Sequence, residues 1–362
     1  MREKFLPNLS DPLSGEKLAL RSFRKDREHI VDGILVSKRS WYPVINGVPR
    51  ILVGPLKTTL LQTHQDFLAT YQKQLGASVV KDWQRAIDEI PNLDAFLAHQ
   101  KKTAESFVYE WKHIYKENEY EKQNFFHFLS PFLDEKDFKN ITTIDIGCGS
   151  GRFTKWAALS EAKISFGTDL GETVEVAYEM TKDLPNACIV QADIYDMPFL
   201  GVFDFAYSIG VLHHLPKPQV GFSRLPTVLK KSGRMLIWVY NRRGNSRAIY
   251  LYEPLRALAR SIPRPILYRL CYLPAAFVQL INLATVALKR VGLPKLSKRM
   301  PFSYYANFPF NMKLNDAFDV LATPKSNYYY REEIENWFKQ SSLKSIRAYE
   351  HREAGITCIG ER

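Results

Sequence analysis

The sequence predicts an α/β fold in which a mostly parallel sheet carries helices on both faces. Three observations lead there. Between Ile141 and Tyr240, short apolar runs alternate with helical stretches, the rhythm of βαβ units. The apolar run that starts at Ile141 ends in a glycine-rich turn, Gly147-Cys148-Gly149-Ser150-Gly151, and a helical stretch follows from Arg152. Two further apolar runs end in acids, Asp169 and Asp193, as successive strand tips in an open parallel sheet do.

The flanking segments are placed by the same signals. Residues 1–56 read as a small β-rich module, because Gly15, Gly33, Gly47 and Pro49 punctuate short apolar runs such as Ile34-Leu35-Val36. Residues 57–130 read as a helical linker and lid, with apolar residues recurring at the helical period from Phe67 to Leu75 and from Trp83 to Leu97. The sheet core is expected over 131–243 and a helical, basic and apolar insertion after strand five over 244–330. Residues 331–362 then close the sheet with a helix (Arg331 to Gln340) and two strands (Leu343 to Tyr349 and Gly355 to Ile359).

Composition narrows the class. With 46% hydrophobic and 24% charged residues among 362, the chain reads as folded globular protein. Met1 to Asp11 hold no apolar run, so no signal peptide is expected. Cys148, Cys188, Cys271 and Cys358 are scattered and form no CxxC pair, which argues against a cysteine zinc cluster or a disulfide framework and for a cytoplasmic setting. The net charge of +12 is local: residues 241–300 hold twelve Lys or Arg against one acid, Glu253, whereas the remainder holds 38 bases and 37 acids.

A glycine turn after a strand lets the backbone approach a ligand closely, but alone it is a weak signature. Asp169 lies 24 residues after Asp145, where a strand-tip carboxylate can accept both hydroxyls of a ribose. Asp193 ends the third run, where a carboxylate can accept from an adenine amino group while a backbone N–H reaches the ring. The segments Ile144 to Phe153, Thr168-Asp169-Leu170, Gln191 to Ile194, Tyr207 to Leu215 and Leu229 to Tyr240 together resemble the class I S-adenosylmethionine-dependent methyltransferases. That resemblance covers roughly residues 105–362. It implies a Rossmann-like seven-stranded sheet, with the last strand (Gly355 to Ile359) inserted antiparallel. It implies S-adenosylmethionine as cofactor, held by Asp145, Gly147, Cys148, Gly149, Gly151, Asp169, Leu170, Asp193, Ile194 and Ser208. An NAD-type domain would want GxGxxG where this loop reads GCGSGR.

The front end resembles the Trm112-like zinc-ribbon module that precedes some methyltransferases. Asp11, Ser14, Ser37 and Ser40 stand where that family has cysteine ligands, so no bound metal is expected.

Methyl transfer from a sulfonium is an in-line displacement, to which an enzyme contributes mainly alignment, and a general base is needed only where the acceptor loses a proton. His213 and His214 follow the fourth strand and are the candidates for that work, or for shaping the pocket through hydrogen bonds. Phe107, Tyr109 and Trp111 are candidates for a cofactor lid or for ordinary helix packing. The tyrosine-rich stretch Asp316 to Tyr330 resembles an acceptor-facing loop in related enzymes.

The insertion combines an uncharged run, Leu270 to Leu288, with flanking Arg and Lys. A membrane surface contacted by an interfacial hairpin and a homodimer or cap built through the insertion both fit it. Nucleic acid ranks behind them, because RNA sites favour exposed polar and aromatic groups between the bases. The expected acceptor is a small or amphipathic molecule, lipid-linked ones included, handled in the cytoplasm or peripherally at the membrane. The alternatives are an RNA base methyltransferase and a non-catalytic S-adenosylmethionine-binding partner subunit.

Overall fold

The computed structural model describes all residues except 114–119, 244, 247–248, 251–252, 260, 324–325 and 352–354. The described chain divides into two compact units. One comprises 1–105, 119–245 and 327–362, and the other comprises 106–118 and 246–326.

The first unit is organised by one sheet. Its strands are β1 (Ala19–Asp26), β2 (His29–Val36), β3 (Trp41–Ile45), β4 (Val48–Ile51), β5 (Thr142–Ile146), β6 (Ile164–Asp169), β7 (Ala187–Ala192), β8 (Phe203–Ile209), β9 (Leu229–Tyr240), β10 (Lys344–Glu350) and β11 (Gly355–Glu361). They lie in the order β1-β2-β3-β4-β7-β6-β5-β8-β9-β11-β10. The seven expected strands therefore run β7-β6-β5-β8-β9-β11-β10, with β11 antiparallel to both of its neighbours. Strands β5 and β7 are buried along their whole length, which is why they read as continuous apolar runs rather than alternating ones. Gly355 lets β11 lie close beside β9, since a Cβ there would sit 2.3 Å from Trp238 Nε1.

The structure adds four strands to the expected seven. Strand β4 pairs parallel with β7 through Arg50 with Gln191 and Ile51 with Ala192, so the N-terminal strands continue the same sheet. Two facts make this favourable. Strand β4 is wholly buried, and β7 would otherwise leave an unpaired edge. Strands β3 and β4 are joined by Asn46-Gly47, both at positive φ (51° and 82°), the two-residue turn whose twist matches a hairpin. The four positions compared with zinc ligands form a hydrogen-bonded corner. Asp11 accepts from the Leu13 and Ser14 N–H groups and from Ser37 Oγ at 2.6 Å, and Ser37 Oγ accepts from the Ser40 N–H at 2.9 Å.

Helices α1 (Gly54–Thr63), α2 (Gln65–Leu75) and α3 (Ala77–Asp88) close over the N-terminal strands, where Trp83 stacks on Trp41 and Phe67. Helix α4 (Ala95–His113) belongs to both units, changing at 105/106. Helix α5 (Glu121–Leu129) packs Phe125 on Phe153 of α6 (Arg152–Leu159), and α7 (Thr173–Thr181) and α8 (Pro218–Arg224) follow β6 and β8.

The second unit contains α9 (Glu253–Ala259), α10 (Arg264–Leu270), α11 (Tyr272–Arg290), α12 (Pro294–Ser297) and α13 (Phe310–Ala322). Its small core joins Leu267, Cys271 and Ala275 to Leu314, Phe318 and Ala322. The chain then returns to the sheet through α14 (Arg331–Gln340), at whose start Glu333 accepts from the Tyr330 N–H at 2.7 Å.

Candidate cofactor and acceptor site

The glycine turn sits at the carboxyl end of β5, the edge where open α/β sheets take ligands. Gly147, Gly149 and Gly151 all have positive φ (81°, 53° and 81°). Two of them also lack room for a side chain: a Cβ at Gly147 would lie 2.4 Å from Val211, and one at Gly151 would lie 2.8 Å from Ala177. The turn is tied to β6, because the Gly147 and Cys148 N–H groups donate to the Thr168 carbonyl at 2.7 and 2.8 Å. Cys148 is buried, which raises its thiol well above the ordinary range.

Three carboxylates stand at the strand tips. Asp145 is buried and accepts from Thr154 Oγ1 at 2.9 Å, so its side chain is held against the first turn of α6. Burial pushes its carboxyl up to about 7, with the Thr154 hydroxyl working against that rise and the Asp169 charge adding to it. Asp169 accepts the Gly171 N–H on one oxygen and the Gly149 N–H on the other, both at 2.9 Å. Burial raises its carboxyl too, against those two N–H groups. A carboxylate offers about four acceptor positions, so Asp169 keeps capacity for a pair of hydroxyls. Asp193 is buried with one oxygen accepting from Tyr195 N–H (3.1 Å) and Gln100 Nε2 (2.6 Å), and burial lifts it to about 6.

Around Asp169 and Asp193 the walls are apolar. Leu170 joins a cluster with Leu97 of α4, and the rings of Phe96 and Tyr195 meet edge to face at 5.0 Å. Ile194 is buried beside them. Ser208 lies inside the sheet and donates to the Ile146 carbonyl at 2.8 Å, fixing β8 to the end of β5. The beginning of α4 therefore meets the segments after β6 and β7 through Phe96, Leu97 and Gln100, residues that the sequence did not single out. The lid candidates lie further along the same helix, in the second unit, where Tyr109 packs on Phe318 at 5.6 Å. The donor and acceptor set suits S-adenosylmethionine: glycine turn for close approach, Asp169 for hydroxyls, Asp193 for an amino group, and Gln100 Oε1, buried without a partner, as a further acceptor beside it.

Arg50 was also invisible as a site residue. It is fully buried in β4, and its guanidinium meets Glu172 at 2.8 Å, Glu175 at 3.2 Å and Gln191 at 3.0 Å. Although burial opposes it, His64 and Arg50 hold the Glu172 carboxyl far below its usual range. This fixes the loop after Asp169 to the N-terminal strands. An arginine inside the apolar run Val48 to Val53 was the available signal.

His213 and His214 occupy a short helical turn after β8, both buried, with ring centres 4.1 Å apart. The His213 ring lies 4.0 Å from that of Tyr240, and Tyr240 stacks on Tyr328 at 5.6 Å with 19° between planes. Asn327 holds the backbone in place by donating its N–H and its side-chain amide to the His213 carbonyl (2.8 and 3.0 Å). Tyr240 and Tyr328 are half-exposed, so their rings form an aromatic shelf at the carboxyl ends of β8 and β9. Val211, which packs on Gly147, puts this loop next to the cofactor turn. Of the tyrosine-rich stretch, Pro324 and Lys325 lie outside the described residues.

Comparison with known proteins gives the same assignment. Residues 144–237 match the methyltransferase domain family model. The tRNA U34 carboxymethyltransferase of Mannheimia succiniciproducens is 27% identical over 210 residues, 49% of this chain and 64% of the relative. That of Actinobacillus succinogenes is 33% identical over 114 residues, 30% of this chain and 33% of the relative. The chain thus spans less than two thirds of the length of these curated relatives. Among solved structures, magnesium protoporphyrin IX methyltransferase from Synechocystis PCC 6803 with bound S-adenosylmethionine aligns at 11% identity and TM-score 0.44, over 76% of this chain and all of that one. An S-adenosylmethionine-dependent methyltransferase from Mesorhizobium loti aligns at 17% and 0.40, over 65% and 95%. With the motifs in order on the strand tips of this sheet, the chain carries a class I S-adenosylmethionine-dependent methyltransferase domain.

Proposed function

We propose that the protein transfers a methyl group from S-adenosylmethionine to a base of RNA. The observation that carries this reading is the aromatic shelf, Tyr240 on Tyr328 with the His213 ring at 4.0 Å from Tyr240, beside the cofactor turn. A flipped or single-stranded base is held by stacking on such rings, at roughly 1–3 kcal/mol per base, and stacking fixes its edge toward the methyl donor. The names of the relatives support it, since those proteins act on U34 of tRNA. They move nucleic acid from last place among the expected partners to first.

In the reaction the nucleophile attacks the methyl carbon in line, the carbon–sulfur bond breaks, and its electron pair stays on sulfur. Alignment is the main task of the residues. The shelf positions the acceptor, Asp169 and Asp193 fix the donor, and His213 or His214 takes a proton where the acceptor atom must lose one.

The test supplies cofactor labelled in the methyl group together with total tRNA or a lipid extract. Label in digested nucleosides, with a mass increment of methyl rather than carboxymethyl, supports the reading. Label in lipid alone overturns it in favour of the amphipathic acceptor, a second reading favoured by the exposed apolar face of α11. Cofactor binding without transfer to either overturns it in favour of a partner subunit.

A further inference from the structure

Helix α11 has its two faces reversed relative to a helix of a soluble protein. Its buried side carries Ala275, Asn282 and Thr285, small or polar residues, with buried Cys271 just before its first turn. Gln279 accepts from Lys313 Nζ of α13 at 2.7 Å, and the Thr285 carbonyl accepts from Ser297 Oγ at 2.9 Å. The exposed side carries Leu273, Phe277, Leu280 and Leu283, between 57% and 73% accessible. Their spacing of three and four residues puts them in one stripe. Ile266 and Leu270 of α10 extend it at one end and Val291 at the other, all exposed.

Charge accompanies the stripe. Arg264 and Arg269 precede it, and Lys289, Arg290, Lys295 and Lys298 follow it. No Asp or Glu occurs between Glu253 and Asp316. Near the basic end, Gln279, Asn282, Arg290 and Ala306 line a cavity of about 340 Å³. Asn282 is 2% exposed, yet neither atom of its amide has a hydrogen-bond partner.

We propose that α10 and α11 dock on a bilayer that contains anionic phospholipid. The Leu and Phe stripe enters the boundary of the acyl region, and the flanking bases meet headgroup phosphates. Apolar burial and basic attraction add in this geometry, as in other interfacial helices. Three alternative occupants fit less well. RNA would engage the bases but has no use for a continuous Leu and Phe face. A second copy would bring the same acid-free, basic surface against itself. The stretch Arg264–Arg290 is long and apolar enough to cross a membrane, by length and composition. A crossing helix, however, would place Asn282, Thr285 and Gln279 at hydrocarbon depth, where here they face the protein. The proposal does not depend on the acceptor.

Flotation of the full chain tests it, using phosphatidylcholine vesicles with and without phosphatidylglycerol. The variant Leu273→Ser/Phe277→Ser/Leu280→Ser changes only exposed positions, and circular dichroism with cofactor calorimetry verifies its fold. The wild type should float with anionic vesicles only. The variant should lose roughly tenfold or more in affinity while binding cofactor as before. Three results would overturn the proposal. The wild type fails to float at low salt; the variant floats like the wild type; or gel filtration shows a wild-type dimer that the variant makes monomeric, with no vesicle binding by either.

Discussion

Asp145→Asn gives the most direct test of the electrostatics at the cofactor turn. The carboxyl is 1% exposed, accepts from Thr154 Oγ1, and is raised by burial from 3.8 to about 7. Between those two values the native state binds more protons at this site than the unfolded chain does. Stability contributed here therefore falls as pH rises through that window and is flat above it. Each tenfold in proton affinity is worth ~1.4 kcal/mol, so the full penalty of ionising Asp145 in the folded protein is roughly 4 kcal/mol. Asparagine keeps the shape and can still accept from Thr154, but does not ionise. Its NH2 group needs a partner where the carboxylate had none to supply, a cost of ~1–3 kcal/mol.

The observable is the difference between wild type and variant in unfolding free energy, from urea titrations at several pH values. Moving from about pH 4 to about pH 8, that difference should tilt toward the variant by roughly 2–4 kcal/mol. The contribution of Asp193 tilts both proteins alike and cancels, whereas the Asp169 charge helps raise Asp145 and is part of the expected tilt. Parallel curves for the two proteins would refute the reasoning, because they would mean that Asp145 is ionised in the native state at little cost. Binding supplies a second readout. A sulfonium near Asp145 favours the ionised form, so the variant should lose affinity for S-adenosylmethionine and change little toward the uncharged thioether product.

Three other expectations follow from the same geometry. Asp169→Ala should weaken cofactor binding by ~1–3 kcal/mol in calorimetry, since hydroxyl partners and the anchor of Gly149 are lost together; unchanged affinity would contradict the placement of the ribose. Gly147→Ala forces a Cβ against Val211 and into positive φ, so thermal unfolding should show a loss of ~1–3 kcal/mol and calorimetry weaker cofactor binding. Tyr328→Ala should raise KM for the acceptor roughly tenfold or more, leaving cofactor affinity intact, if the shelf stacks on a planar base.

Much of the sheet could be read from sequence, for a physical reason. Strands β5 to β8 are buried along most of their length, so each appears as an apolar run, and the acids at the ends of β6 and β7 are conspicuous against it. Asp169 and Asp193 stood out on that account. Pairing between distant segments leaves no such mark. Nothing in Val48 to Ile51 announces that its partner is β7 rather than another N-terminal strand, and the continuous sheet was missed as a result. Gln100 was hidden for a related reason: a polar residue on an amphipathic helix reads as solvent-facing, and only the fold brings it to Asp193 at 2.6 Å. A helical stretch over 57–130 was expected, with Phe107 to Trp111 as lid candidates, but the helix residues that meet Asp193 and Tyr195 are at the start of α4, Gln100 and Phe96. In α11 the uncharged run and its flanking bases were legible and the buried face was not, because composition does not say which residues pack inward.

The charge at the turn has a consequence for turnover. Asp145, Asp169 and Asp193 all carry carboxyls raised by burial, so the folded site holds negative charge at a cost. Arg50 does not relieve it, being committed to Glu172 and Glu175. A cationic ligand does, and the donor is cationic at sulfur while the spent cofactor is not. Methyl transfer would remove the positive charge proposed to lie nearest Asp145, and part of the cost of ionising that acid would return. With Asp145 beside the sulfur, as proposed, that one acid favours the donor over the spent cofactor, which is the difference the Asp145→Asn affinities read. This asymmetry requires no movement of the sheet. It depends only on burial keeping the acids in a low dielectric, which is the contribution of Phe96, Leu97 and Leu170 as much as of the acids themselves.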